Sequence, residues 1–320
     1  MSWRHAATRA LVALGTLVFV LVFNFFLFRA VGDPKKDLIR SRLSPAARQA
    51  VIRERGLDKD KLTQFRIYIR QTLSGDLGTS TNSRKAVWDE LMAALPNTLI
   101  LTGIATLLSA FIGSWMGVVA ASRRGTHTDT LLTQGGLVLW SMPFFFIAIL
   151  AIWLFAVQIP VFPTGLKSTP GGATSGTAYY RDVFVHAILP IATLTASLLA
   201  QYTVIMRTTL VDVLREDYIT TSRAIGLNRQ LVMRRHAVPN ARLPLITLVA
   251  LNIGFVLSGA FVIESIFSWP GIGLLTIQAI DDKDYPVLQG AFLLSSAAVI
   301  IANFGADILY GHLDPRVSDS

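Results

Sequence analysis

Residues 215–244 read REDYITTSRAIGLNRQLVMRRHAVPNARLP, a polar interruption between long apolar runs. The stretch holds Arg215, Arg223, Arg229, Arg234, Arg235 and Arg242 against Glu216 and Asp217. Arginine in excess between membrane spans marks a cytoplasmic loop, because positively charged loops are retained on that side. Asp217 is suited to cap a short helix reaching about Ile225. Gly226 tolerates the left-handed backbone that ends a helix. Asn228 is suited to cap a second helix, which the ring and missing N–H of Pro239 should end. Two helices this short do not cross a bilayer. They lie along its surface and present a rigid knob to a partner.

Working outward, the apolar runs are long enough to span. The chain has 320 residues, 52% hydrophobic and 15% charged, with segments near twenty apolar residues, so it is a membrane protein rather than a soluble domain with a large core. The fold expected is all-α with six spans. The first follows Arg4 and Arg9 and covers Ala10 to Phe28, too long for the apolar region of a cleaved signal peptide. The second opens at Leu95-Pro96-Asn97-Thr98 and runs to about Ala121, with Gly103, Gly113 and Gly117 as sites for close helix contact. The third covers about Leu131 to Val157 and should kink at Pro143. The fourth covers about Val183 to Ile205, the fifth about Leu245 to Glu264, and the sixth about Val287 to Leu309. Both termini are then cytoplasmic. Residues 1–31 form a cytoplasmic start and first span, 32–94 an external segment, and 95–320 a five-span core whose cytoplasmic loop lies at about 209–243.

The external segment reads as helical from Leu57-Asp58 through Phe65 to Ile69 and stops at Gly75-Asp76-Leu77-Gly78. Residues Pro160 to Asp182 are rich in Gly, Pro, Ser and Thr and read as a second external loop. The run Gly171-Gly172-Ala173-Thr174-Ser175-Gly176 lacks the Gly-Lys-Ser/Thr ending of a phosphate loop.

Several motifs, taken in order, resemble the permease subunits of bacterial ABC importers, and in particular their peptide-importing branch. Tyr218-Ile219-Thr220-Thr221-Ser222-Arg223-Ala224-Ile225-Gly226-Leu227 is similar to that branch's cytoplasmic loop, with Ser222 and Ile225 as departures. The Glu-Ala-Ala triplet of importers at large is Thr220-Thr221-Ser222 here, and His236 stands where a hydrophobic residue is usual. Val31-Gly32-Asp33-Pro34 and Gly75-Asp76-Leu77-Gly78 resemble the branch's external motifs. So do Glu264 through Gly271-Ile272-Gly273, with Trp269 expected at the membrane interface, and Asp284-Tyr285, preceded by Lys283 in place of arginine. Asp307-Ile308-Leu309-Tyr310 and Leu313-Asp314-Pro315-Arg316-Val317 resemble its cytoplasmic ending.

The resemblance implies a type I permease fold in a bacterial inner membrane and a non-catalytic subunit for di- or oligopeptide import. The implied partners are a second homologous permease, two ATP-binding subunits and an extracytoplasmic solute-binding protein, with ATP and magnesium held by the ATPases. Tyr218, Thr221, Ser222, Arg223, Ala224, Gly226 and Leu227 would couple to the ATPase. Gly75, Asp76, Glu264, Gly271, Gly273, Asp284 and Tyr285 would face the binding-protein side. Related permeases carry nickel complexes or glutathione, and both remain alternatives for the cargo.

Other classes find little support in the residues. The net charge of +9 sits in loops beside spans, where phospholipid and partner subunits account for it better than nucleic acid. No cysteine means no disulfide, thiol nucleophile or cysteine-bound metal. His5, His127, His186, His236 and His312 form no ligand pair, no Gly-x-Ser-x-Gly elbow occurs, and no Walker lysine loop is present. His236 is read as a polar contact within the loop. Charges inside the spans are few: Glu264 and Asp307 lie near span ends, within reach of interface water, and read as local hydrogen-bonding groups. Asn252 and Asn303 lie deeper, as helix glue or path lining. An ATP-independent carrier is the rival from another class. It usually needs ionisable groups or broken helices near the midplane.

Overall fold

The structure, a computed structural model, describes residues 3–31, 44–54, 56–242, 244–246, 248–249 and 261–313. It is helical throughout. In chain order the helices are α1 (Trp3–Val31), α2 (Pro45–Glu54), α3 (Lys61–Leu73), α4 (Val87–Ser122), α5 (His127–Ser141) and α6 (Phe144–Ile152). They continue with α7 (Gly176–Val213), α8 (Asp217–Ala224), α9 (Arg229–Val232), α10 (Val238–Ala241), α11 (Phe261–Ile266), α12 (Ile272–Asp281) and α13 (Tyr285–Leu313).

Four described helices are long and apolar enough to cross a membrane: α1, α4, α7 and α13. The pair α5–α6 makes a fifth crossing if counted as one. Most of the predicted fifth span, Asn252 included, lies outside the described residues, as do residues 32–34 and 314–317 of the quoted motifs.

The centre of the fold is the packing of α4 along α7. At Gly113 a Cβ would stand 2.7 Å from the Leu199 carbonyl oxygen and from Tyr202 Cβ, and at Gly117 it would stand 2.6 Å from Met206 Cβ. These two glycines let the backbones approach, as small residues do in membranes. Gly103 does not share this role, since nothing lies within 4 Å of its Cβ position. Both helices outrun the predicted spans. α4 starts at Val87 rather than Leu95, with Pro96 inside it, and α7 covers Gly176–Val213. Their 36 and 38 residues rise about 54 and 57 Å, against about 30 Å of hydrocarbon. They therefore project beyond the apolar layer.

Pro143 breaks the third span rather than kinking it. α5 and α6 meet at 99°. The proline ring forces the preceding residue out of the helical region, and Met142 sits at ψ 133°. α6 then runs into a π-helical turn, Trp153–Gln158.

α1 lies along α13. Arg9 of α1 pairs with Asp307 of α13 at 3.2 Å, a long-range contact rather than the local hydrogen bonding expected of that aspartate. Asn24, fully buried, donates through Nδ2 to Tyr68 Oη of α3 at 3.1 Å and to the Gln289 carbonyl of α13 at 3.3 Å. Phe25 beside it packs edge-on against Phe65. Helix α3 is thereby fastened to α1 and α13. Asp60 caps α3 and accepts from Thr63 at its hydroxyl and its N–H, and those bonds hold the Asp60 carboxyl below its ordinary pKa.

Candidate functional site

The arginine-rich loop folds as a joined pair of helices. α8 begins one residue earlier than expected. Glu216 takes the cap position without a side-chain capping bond, and its main-chain carbonyl accepts from Ile219 and Thr220. Asp217 lies in the first turn instead, where its charge suits the positive end of the helix. α8 ends at Gly226, φ +85°. There the Gly226 N–H donates to the Arg223 carbonyl at 3.0 Å and the Leu227 N–H to the Ser222 carbonyl at 3.3 Å. That bond pair is the Schellman stop. Asn228 Oδ1 accepts from the Gln230 N–H at 3.0 Å and starts the second helix.

The second helix does not end at Pro239. After α9 it widens into a π-helical turn, Met233–Ala237, and continues as α10. Pro239 follows closely on that turn, whose wider spacing makes room for a ring that would otherwise meet the carbonyl four residues back.

One face of this pair is fixed. Ile219, Val232, Ala237 and Ala241 are buried against Tyr202, Met206 and Leu210 of α7 and Ala121 of α4. Ile219 alone should contribute about 1.5–3 kcal/mol to this seating. Arg229 Nη2 donates to the Ser122 carbonyl at the end of α4, at 3.1 Å. The predicted residues divide accordingly. Ser222 is buried, its hydroxyl donating to the Tyr218 carbonyl at 2.7 Å, and Leu227 is half-buried. Thr221, Arg223, Ala224 and Gly226 face outward with Tyr218, 41% exposed, and Ile225, 71% exposed. The loop thus pairs a buried seat with an exposed face that carries Tyr218, Arg223 and Ile225. His236 lies within it, its carbonyl accepting from Asn240 Nδ2 at 2.7 Å.

A second constellation involves the far end of α4. Glu264, 0% exposed, does not reach interface water. Its carboxylate accepts from the Gly273 N–H at 2.7 Å, the Leu274 N–H at 3.2 Å and Thr98 Oγ1 at 2.7 Å. Thr98 Oγ1 accepts in turn from the Ile272 N–H at 2.9 Å. The start of α12 is therefore satisfied by one glutamate and one threonine. A Cβ on Gly271 would stand 2.3 Å from the Glu264 carboxylate, and one on Gly273 would stand 2.5 Å from Phe261 Cα. The motif glycines make room for the carboxylate and the neighbouring backbone.

Trp269 is 1% exposed, not placed at an interface. Its Nε1 donates to the Asn97 carbonyl at 3.1 Å, and this internal partner outweighs the headgroup preference of tryptophan. Asn97 also donates to the Pro270 carbonyl at 2.8 Å and accepts from Lys167 Nζ at 2.8 Å.

Asp284 and the stretch from Gly75 to Asn82 meet nearby. Asp284, buried, accepts from Ser80 Oγ at 2.5 Å and from the Asn82 N–H at 3.2 Å. Tyr285 is half-buried at the start of α13. Asp76 stabilises the Gly75–Gly78 turn through its own backbone, accepting from the Gly78 N–H at 2.9 Å. Leu77 then packs with Val87, Leu91, Ile272 and Val287.

Thr98, Asn97, Lys167, Ser80 and Asn82 were not singled out as site residues. Asp129 and Arg207 were missed altogether. Arg207 donates to both Asp129 oxygens, at 2.6 and 2.7 Å, and the Gly125 N–H adds a bond to Asp129 at 3.0 Å. One signal was available: each is a lone charge just outside a predicted span end, Leu131 and Ile205. Among the described residues no group of three His, Cys, Asp or Glu could hold a metal ion.

Residues 109–319 match the protein family described as "Binding-protein-dependent transport system inner membrane component". Over its length the chain is 35% identical to the "Di/tripeptide transport system permease protein DppB" of Pseudomonas aeruginosa, covering 97% of each chain. It is 34% identical to the "Dipeptide transport system permease protein DppB" of Escherichia coli K12, covering 94% of this chain and 95% of that one. It is 33% identical to the "Oligopeptide transport system permease protein AppB" of Bacillus subtilis, covering 97% of both.

Proposed function

Because this chain belongs to the binding-protein-dependent transport system inner membrane components, as a permease subunit of the bacterial ABC dipeptide and oligopeptide importers, we propose that it forms half of a peptide path and couples that path to ATP. A second, homologous permease supplies the other half. Two ATPase subunits dock at the α8–α9 knob and hold ATP and magnesium, and a solute-binding protein delivers peptide at the opposite face. This chain contributes no catalytic group. Residues 32–94 form the external segment, and 95–320 form the core.

The observation that carries this reading is the division of the loop into a buried and an open face. Ile219, Val232, Ala237 and Ala241 lock it to α7 and α4, while Tyr218, Thr221, Arg223 and Ile225 stay uncovered. A load applied to the open face passes straight into the two longest helices. Closure of the ATPases would thereby tilt α4 and α7 between outward- and inward-open states. On the other face, the Glu264 cap and the Asp284 contacts fasten α12 and the external segment into one surface for the delivering protein.

The test is uptake of a labelled dipeptide by vesicles holding all the subunits, with ATP hydrolysis measured in parallel. Uptake must need ATP, the binding protein and this chain together. Uptake by this chain with its permease partner alone would establish an ATP-independent carrier instead.

A further inference from the structure

A groove of about 700 Å³ opens beside the knob, and its described lining is apolar except for Ser114, Arg234 and Arg242. Phe111, Ser114, Trp115 and Val118 form one wall. Their spacing puts them on a single face of α4, over about 10 Å of its length. Leu245, Ile246 and Val249 line it as well, and the knob contributes Arg234, Val238 and Arg242. Phe111 and Trp115 are exposed, at 76% and 63%. Both arginines are exposed, and among the described residues neither has a carboxylate within ion-pair distance.

We propose that this groove binds an anionic phospholipid of the cytoplasmic leaflet, its phosphate held by Arg234 and Arg242 and its acyl chain laid along Phe111, Trp115 and Ile246. Two guanidinium groups in an otherwise largely apolar groove fit an amphiphile with an anionic head. The planar forks suit phosphate oxygens, and the volume lies in the range of pockets that bury a whole small ligand. The bound lipid would brace α10 against α4, so the knob would rest partly on lipid. The inference goes beyond the transport reading but takes from it that this loop faces the cytoplasm.

The test uses the full complex, purified from nanodiscs of phosphatidylcholine doped with phosphatidylglycerol, with retained lipid measured by native mass spectrometry. Wild type should retain phosphatidylglycerol in preference to phosphatidylcholine. Arg234→Gln with Arg242→Gln should weaken that retention about twenty-five-fold, at roughly a factor of five for each arginine near an anionic surface. Arg235→Gln, exposed but outside the groove, should leave it unchanged. Retention unaltered in the double variant, or no preference between the two lipids, would overturn the proposal. So would efficient cross-linking of Ser114→Cys to the second permease, which would make the groove a subunit interface. Because lipid retention is read without transport, its failure leaves the peptide-import reading standing.

Discussion

Arg207 of α7 holds Asp129 of α5 through two parallel bonds, Nε to Oδ1 at 2.6 Å and Nη2 to Oδ2 at 2.7 Å. Asp129 is almost fully buried, and the Gly125 N–H and Thr133 hydroxyl take up its remaining acceptor capacity. Arg207 follows Met206, which packs against the knob. The pair therefore ties the start of the third span to the helix that carries the knob. Asp129→Ala would leave a partly buried guanidinium without its partner. The cost should approach the about 3–5 kcal/mol seen when a buried pair loses one member, reduced because the Arg207 side chain is 26% exposed. Arg207→Lys keeps the charge, loses the fork and should cost less. Thermal unfolding of the purified complex is the measurement. An Asp129→Ala complex as stable as wild type would remove the strut.

Two glycines at the Glu264 cap should be intolerant for a steric reason. Gly273→Ala places a Cβ 2.5 Å from Phe261 Cα, where only backbone movement relieves the clash. A loss of about 1–3 kcal/mol is expected from such overpacking. Gly271→Ala meets the Glu264 carboxylate itself, so its cost should shrink in a Glu264→Ala background, a non-additive pair. Gly103→Ala meets nothing and should be neutral or slightly stabilising. Equal melting temperatures for the Gly273 and Gly103 variants would count against the cap.

At the Gly75–Gly78 turn the constraint is the backbone and not space. Gly75 and Gly78 sit at φ +81° and +84°, and nothing lies within 4 Å of the Cβ position of Gly75. Valine at both should cost about 1–3 kcal/mol each, displace Leu77 and lower transport while the ATPases still assemble. Asparagine, which visits positive φ more readily, should be milder. Uptake and subunit recovery measured side by side separate the outcomes. Failure to assemble would make the turn structural for the whole complex.

What the sequence made legible follows the range of the interactions. The knob and the Asp76 turn were readable because each rests on bonds between residues a few positions apart: Gly226 with Arg223, Asn228 with Gln230, Asp76 with Gly78. The Glu264 motif was visible as a pattern, but its meaning needed Thr98, 166 residues away. Asp129 and Arg207 are 78 residues apart, and no local pattern selects one for the other. Trp269 was misplaced because an average preference for the interface says nothing of an Asn97 carbonyl waiting inside. Pro239 misled in the opposite direction. A helix that widens into a π-helical turn just before a proline can accommodate it, and no local pattern announces that turn.

Topology is testable with single cysteines because the chain has none. Thr174→Cys lies in the exposed Gly/Thr loop and should react with a membrane-impermeant reagent applied to intact cells. Gln230→Cys lies on the exposed side of α9 and should react only after permeabilisation. Gln230 is preferable to Arg229, whose guanidinium holds the Ser122 carbonyl. The reverse labelling pattern would invert the assignment of faces.

The knob itself gives the sharpest separation of seat from surface. Gly226→Pro would impose φ near about −65° where the chain stands at +85°, and it would delete the N–H bonded to Arg223. The stop between α8 and α9 could not form, so docking should fail and the ATPases should be lost on purification. Ile225→Glu and Arg223→Glu change exposed side chains and leave Ile219 and Val232 seated. These variants should fold, yet bind ATPase subunits about tenfold or more weakly, if Ile225 is a docking anchor of the kind that costs about 2 kcal/mol when removed. Arg223→Lys should fall between, keeping charge without the planar fork. Arg215→Gln, exposed and outside the proposed contact, should change little. The measurement is ATPase recovered per permease, followed by dipeptide uptake per ATP hydrolysed. Full recovery and normal uptake in Gly226→Pro and Ile225→Glu alike would show that force enters this permease elsewhere.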